Sequence, residues 1–245
     1  ALTAGSRGVA QIDVVLRSLV RALKEKGAEP FIVPAMGSHG GATAKGQVEV
    51  LESLGVTEEF CEAQILSSME VAEIGRTERG VPVYMDRHAS KADGVVVVNR
   101  IKAHTDFRGP AESGLLKMAA IGLGKHDAAL ELHGYGVTGI KDYMIEVGEE
   151  ILRSGRVLFG LGLVENAYDE PAKIEAIKPE NVREREEELL AEYMGYMPSL
   201  PVKDMDILFV DALGKNYSGT GMDTNVIGRF RILGVGGPES PNAKY

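Results

Sequence analysis

A single cysteine, Cys61, is all the thiol chemistry the 245 residues contain, which excludes an intrachain disulfide and a multi-cysteine metal site. Its neighbours Phe60 and Glu62 offer a thiol no activation, so Cys61 is expected to be structural. Positive charge is also scarce: 27 Lys and Arg against 36 Asp and Glu leave a net charge of −9. With no basic stripe, the chain is not suited to a nucleic-acid backbone as its partner. Long apolar runs are missing too. The longest, residues 94–98 and 157–164, fall far short of a membrane span, and no signal peptide opens the chain, so a cytoplasmic protein away from membranes is expected. Asn216-Tyr217-Ser218 has the form of a glycosylation sequon but no secretory route to give it meaning. The common nucleotide signatures fail as well. The Gly41-to-Gly46 spacing is followed by Gln47 where a phosphate loop needs Lys, and Gly134-Tyr135-Gly136-Val137-Thr138-Gly139 follows a helical pattern where a dinucleotide fingerprint needs a strand.

What is present is a 44% hydrophobic chain, ample for a buried core, in which strand-like and helix-like segments alternate. Apolar spacing predicts helices over 12–26, 45–54, 112–121, 125–133, 138–152 and 181–193. Short strands are expected at 30–34, 73–76, 81–85 and 157–164, and the β-branched run 94–98 suits the centre of a parallel sheet. The run Arg183-Glu184-Arg185-Glu186-Glu187-Glu188 reads as a solvated helix face. Residues 198–201 resemble a hinge, after which 205–210 begin a new strand. The fold class is therefore α/β, as two α/β domains with mostly parallel sheets: 1–200 as the first and 201–245 as the start of an incomplete second. The opening residues 1–5 read as the tail of a strand and 238–245 as a turn leading into another, so both ends are expected to be cut edges.

The polar glycine-rich segments follow strands, and in open α/β sheets ligands bind at that edge. One of them, 36–43, joins a strand to a helix, a place where a phosphate or carboxylate sits well. Of five histidines, His39 and His104 each stand in a loop just after a strand, where a histidine can be catalytic or a plain surface residue. Lys117 lies in an apolar helix, either buried beside a neutralising partner with a lowered pKa or snorkelling to the surface. His133 closes a helix, as a cap or as a metal ligand. His88 and His126 lie in charged surroundings and are expected to be exposed.

The order Gly5-Ser6-Arg7-Gly8, Gly37-Ser38-His39, Lys102-Ala103-His104, Lys117, then His133 resembles the lactate racemase family, from about Ser6 to His133, with weaker similarity around Lys215. The resemblance implies an isomerase that racemises or epimerises 2-hydroxy acids on a nickel-pincer nucleotide joined covalently to a lysine. It implies Lys117 as the tether, His133 as the nickel ligand, and His39 and His104 as the paired acid/base groups. Ser6, Arg7 and the amides near Gly8 are implied as the phosphate clamp. Lys215 and Asn216 are implied as substrate contacts. Imidazole suits Ni(II), and the two histidines serve a reaction in which the hydroxyl proton leaves while the C2 hydride passes to the cofactor and returns on the other face. Family installation of the cofactor by separate biosynthetic proteins implies them as partners, and implies an empty protein where they are absent.

The sequence also departs from the family pattern. Gly8 follows Arg7 where lactate-specific members tend to have Thr and Pro, and Gly40-Gly41 follow His39 where they tend to have Arg. The lost cation and the added room point away from lactate and toward a larger 2-hydroxy acid such as a sugar acid. Two other readings stay open: a different metal-dependent isomerase or lyase using His39, His104 and His133 directly, and a non-catalytic protein that binds the nucleotide cofactor. No feature fixes the oligomeric state.

Overall fold

The computed structural model describes residues 1–202, 205–214, 221–228 and 230. Its central sheet is built from β1 (Leu2–Ala4), β2 (Ile32–Pro34), β5 (Val95–Arg100), β6 (Val157–Glu165) and β7 (Pro171–Ile177), in the order β2-β1-β5-β6-β7. The pairings β1/β2, β1/β5 and β5/β6 are parallel and β6/β7 is antiparallel. A separate antiparallel hairpin joins β3 (Val71–Arg76) to β4 (Pro82–Asp86).

The pleat of β5 explains the layering. Val95 and Val97 face one core and Val96 and Val98 the other, as a period of two requires of a strand buried on both faces. The Val96/Val98 side is covered by α1 (Ile12–Glu25), α2 (Ala44–Ser53) and α3 (Glu58–Cys61). Helix α1 buries Ile12, Leu16 and Val20, one residue per turn, and carries Asp13 in its first turn and Lys24 in its last, matching the helix dipole. Cys61 lies fully buried in this layer, in keeping with a structural residue. The opposite side packs α4 (Leu115–Lys117), α5 (Lys125–Gly134), α7 (Met144–Arg153), α8 (Val182–Tyr196) and β4. Between α5 and α7 run the short α6 (Gly136–Thr138) and a π-helical turn, Gly139–Tyr143.

Four expectations are corrected. The segment 112–121 becomes helical only at Leu115 and passes into a π-helical turn, Met118–Gly122. Residues 205–210 form no strand; among the described residues no sheet edge pairs with them, and Ile207 and Phe209 are 73% and 91% exposed. The charge run of α8 is not wholly solvated, because Glu186 is buried together with Val182, Leu189 and Leu190. His88 and His126 are half-buried, and His126 Nδ1 is a buried nitrogen with no hydrogen-bond partner among the described residues.

Candidate functional site

Three loops leave the C-terminal ends of adjacent parallel strands. The loop after β1 carries Ser6, Arg7 and Gly8, that after β2 carries His39, and that after β5 carries Lys102 and His104. Because β2 and β5 flank β1 on opposite sides, the loops open around one crevice, the position where open α/β sheets bind ligands. The π turn behind α4 packs under two of them. A Cβ on Gly37 would lie 3.1 Å from Ile121, one on Gly5 3.0 Å from Met118, and one on Gly122 2.8 Å from the Ala35 carbonyl. Lys117, which immediately precedes this turn, is thereby set at the junction of the loops.

The side chains converge. Ser6 Oγ hydrogen-bonds His39 Nδ1. Burial lowers the His39 pKa, with the Arg7 and Lys117 charges adding to the effect. Burial lowers His104 further, to about 3, assisted by Lys117, Lys102, Arg108 and Arg7. The backbone N–H of Asp106 donates to His104 Nδ1 at 3.1 Å, so the neutral ring keeps its proton on Nε2. The ring stacks on Phe107 at 4.3 Å between centroids. Lys117 is half-buried, and burial followed by the Arg7 and Lys102 charges lowers its ammonium to about 8. This favours the buried-amine alternative over snorkelling, although the charges nearest it are mainly cations.

Residues 5–139 match the lactate racemase N-terminal domain. The chain belongs to the lactate racemase family. The lactate racemase apoprotein from Thermoanaerobacterium thermosaccharolyticum shares its fold over 76% of this chain with a TM-score of 0.58, at 15% identity. This chain spans 47% of that protein's length. No curated protein matches the chain.

Within this lactate racemase family domain, His133 makes no hydrogen bond to the converging groups among the described residues. It is exposed near the end of α5, with Nδ1 2.5 Å from the Ala129 carbonyl. That contact places the ring proton on Nδ1 and leaves the Nε2 lone pair free, the arrangement a metal-bound histidine adopts. No group of three His, Cys, Asp or Glu side chains suited to a metal exists among the described residues, so a site made directly by His39, His104 and His133 is not supported. Lys215 and Asn216 lie outside the described residues. Later in the sequence, Thr224 Oγ1 donates to the Thr105 carbonyl, Arg108 Nη2 donates to Asn225 Oδ1, and the Arg108 guanidinium lies 4.9 Å from the Phe230 ring centroid. Thr224, Asn225 and Phe230 thus reach the His104 loop.

At the end of the 36–43 loop, Thr43 caps α2: its Oγ1 accepts the Gly46 N–H at 3.0 Å and its carbonyl accepts that of Gln47 at 3.0 Å.

Sequence reasoning missed the buried polar groups that hold each loop. Glu165, paired with Arg100, accepts the Ala10 N–H at 2.7 Å, while Arg100 donates to the Arg7 carbonyl at 3.1 Å. Glu112 accepts the N–H groups of His104 at 2.6 Å and Gly109 at 3.0 Å. Glu186 accepts the Leu116 N–H at 3.0 Å, capping the helix that bears Lys117. The sequence motif by itself gives Lys102 no role. Burial, then the Arg100 charge, lowers its amine to about 8, and it forms no side-chain hydrogen bond or ion pair among the described residues.

Proposed function

We propose that this protein racemises or epimerises a 2-hydroxy acid larger than lactate, using a nickel-pincer nucleotide tethered to Lys117. The observation that carries the reading is the gathering of Ser6, Arg7, His39, His104 and Lys117 from separate loops and a helix in a chain of this family. The residues fit the group. An amine lowered to about 8 is partly neutral near physiological pH and so nucleophilic. The Arg7 guanidinium, with Ser6 and the backbone around Gly8, suits a phosphate, and His133 Nε2 offers nickel a free lone pair. Gly8 holds a φ of +41°, which lets the backbone turn at the clamp without a Cβ.

When bound, the nucleotide supplies the hydride acceptor. The chain's own groups manage the proton and the carboxylate. A neutral histidine on one side takes the hydroxyl proton, and its counterpart returns a proton to the oxygen for the opposite configuration. Lys102, two residues before His104, supplies the counter-charge for the substrate carboxylate that the glycines after His39 cannot supply. The cofactor-making proteins are partners by the same reading. A panel of 2-hydroxy acids, sugar acids and lactate included, followed by loss of optical rotation, tests the proposal. His39→Gln and His104→Gln are each expected to lose about 100-fold or more in turnover, the usual scale of general acid–base catalysis, while Lys102→Met raises KM. Undiminished turnover in both histidine variants contradicts the assignment, and racemisation of lactate alone contradicts the substrate class.

A further inference from the structure

Beneath the His39 loop lies a polar cluster that the proposed reaction does not use. Lys125 is 0% exposed, in a backbone conformation with φ +54° at the start of α5. Its ammonium lies 3.2 Å from Asp86 Oδ2 and donates to Gln47 Oε1 at 3.1 Å and to the Pro34 carbonyl. Asp86 is itself buried and accepts the N–H groups of His88 at 2.8 Å and Ala89 at 2.9 Å, which anchors the cluster to the end of β4. Gln47, also 0% exposed, donates through Nε2 to the carbonyls of Gly37 at 2.9 Å and His39 at 3.3 Å.

The chemistry of the donors fixes the direction of this chain of contacts. An ammonium has hydrogens and no acceptor, so the atom of Gln47 that meets Lys125 must be the amide oxygen. The NH2 end is then forced toward the loop, where its two hydrogens meet two carbonyls. A buried charge is costly unless it is paired and hydrogen-bonded, and Lys125 has both kinds of partner. The loop itself leaves little room for adjustment: Gly37 and Gly40 have φ of +59° and +66°, and a Cβ on Gly40 would lie 2.6 Å from the backbone of Gly46 and Gln47.

Resting on the acid/base reading of His39, we propose that Gln47 is a positioning residue for that histidine and that Lys125 orients its carboxamide. The amide clamps the backbone on both sides of Ser38, so the imidazole meets Ser6 and the crevice from a fixed base. Lys125 and Asp86 tie this clamp to β2 and β4, so the placement of His39 depends on strands that themselves carry no site residue.

Gln47→Leu removes both donors at similar length, and Gln47→Glu keeps an oxygen for Lys125 while presenting none of the amide hydrogens. Imidazole resonances of the apoprotein, with His39 identified by its absence in His39→Gln, are followed by NMR across pH. Both Gln47 variants are expected to shift the His39 ring signals and titration midpoint while leaving those of His104 in place. In cofactor-loaded protein, kcat is expected to fall about 10–100-fold with KM changed by less than about threefold, the scale of a small misplacement of a catalytic group. Lys125→Met is expected to move the His39 signals in the same way; if it does not fold, the two Gln47 variants decide. Unmoved His39 signals in folded Gln47 variants overturn the proposal, and so does an effect in Gln47→Leu that Gln47→Glu lacks, since that marks packing alone. Turnover absent even from the parent refutes the racemase reading, while the NMR result still decides the clamp.

Discussion

At the residue scale the two histidines are not equivalent. His39 has a hydroxyl partner in Ser6, whose proton can lie on either atom, whereas His104 receives a backbone N–H on Nδ1 and is held neutral. The depression of His104 comes first from burial and then most from the Lys117 charge. In the proposed loaded protein, a tether that neutralised the Lys117 nitrogen would remove that charge and a phosphate on Arg7 would offset another, so His104 is expected to rise toward the range where it can carry a proton. In the apoprotein the consequence is thermodynamic. Between its ordinary 6.5 and the folded value of about 3, the unfolded chain binds a proton that the folded one does not. Stability therefore rises with pH through that window and is lost as the solution is acidified. Urea unfolding from pH 7 down to pH 4 is expected to show a shallower loss for His104→Gln than for the parent; parallel curves contradict the assignment. This difference between the rings was not legible in the sequence, because it depends on the group each Nδ1 meets, a hydroxyl at His39 and a backbone N–H at His104.

At the element scale the same contrast appears in α8. Its pattern of charges suggested a solvated face, yet Val182, Glu186, Leu189 and Leu190 make one buried stripe at helical spacing. The stripe was there to be read. A carboxylate in it signals a partner across the interface, here the Leu116 N–H. Burial pushes Glu186 up to about 7 from its ordinary 4.5. The folded chain therefore holds a proton in that window that the unfolded chain has released, and the associated stability is full below 4.5 and lost as pH rises through 7. Glu186→Gln keeps an acceptor oxygen without the charge, so its stability relative to the parent is expected to improve between pH 5 and pH 8. Glu186→Ala orphans the Leu116 amide and is expected to cost about 1–3 kcal/mol. A Gln variant with the same relative stability at both pH values contradicts the account. Other elements were plain in the pattern: α1 from its apolar spacing and the stop at Gly27, and β5 from its run of valines. Strand β7 was missed because its burial alternates and only Ile177 of its residues is fully buried, leaving a largely solvent-facing edge strand interrupted by Lys173 and Glu175.

At the scale of the molecule, an acidic chain with a net charge of −9 collects Arg7, Lys102, Arg108 and Lys117 around its two loop histidines. Composition predicts the absence of a nucleic-acid face but hides this local cationic site, because the residues lie up to about a hundred positions apart and meet only through the order of the strands. The motif residues were legible one by one; the groups that hold them, Gln47, Glu112, Lys125 and Glu165, were not, since nothing in their neighbours distinguishes a buried carboxylate or amine from a solvated one. That the site holds a covalently bound nucleotide is the central proposal, and it is tested most directly by weighing the protein. Intact mass and nickel content are measured on the parent and on Lys117→Ala, each produced together with the cofactor-making proteins and shown by circular dichroism to be folded. An added mass of nucleotide size with nickel in the parent, both absent from Lys117→Ala, is the predicted result; an adduct and nickel that persist in the variant, or a folded parent with neither, contradict it.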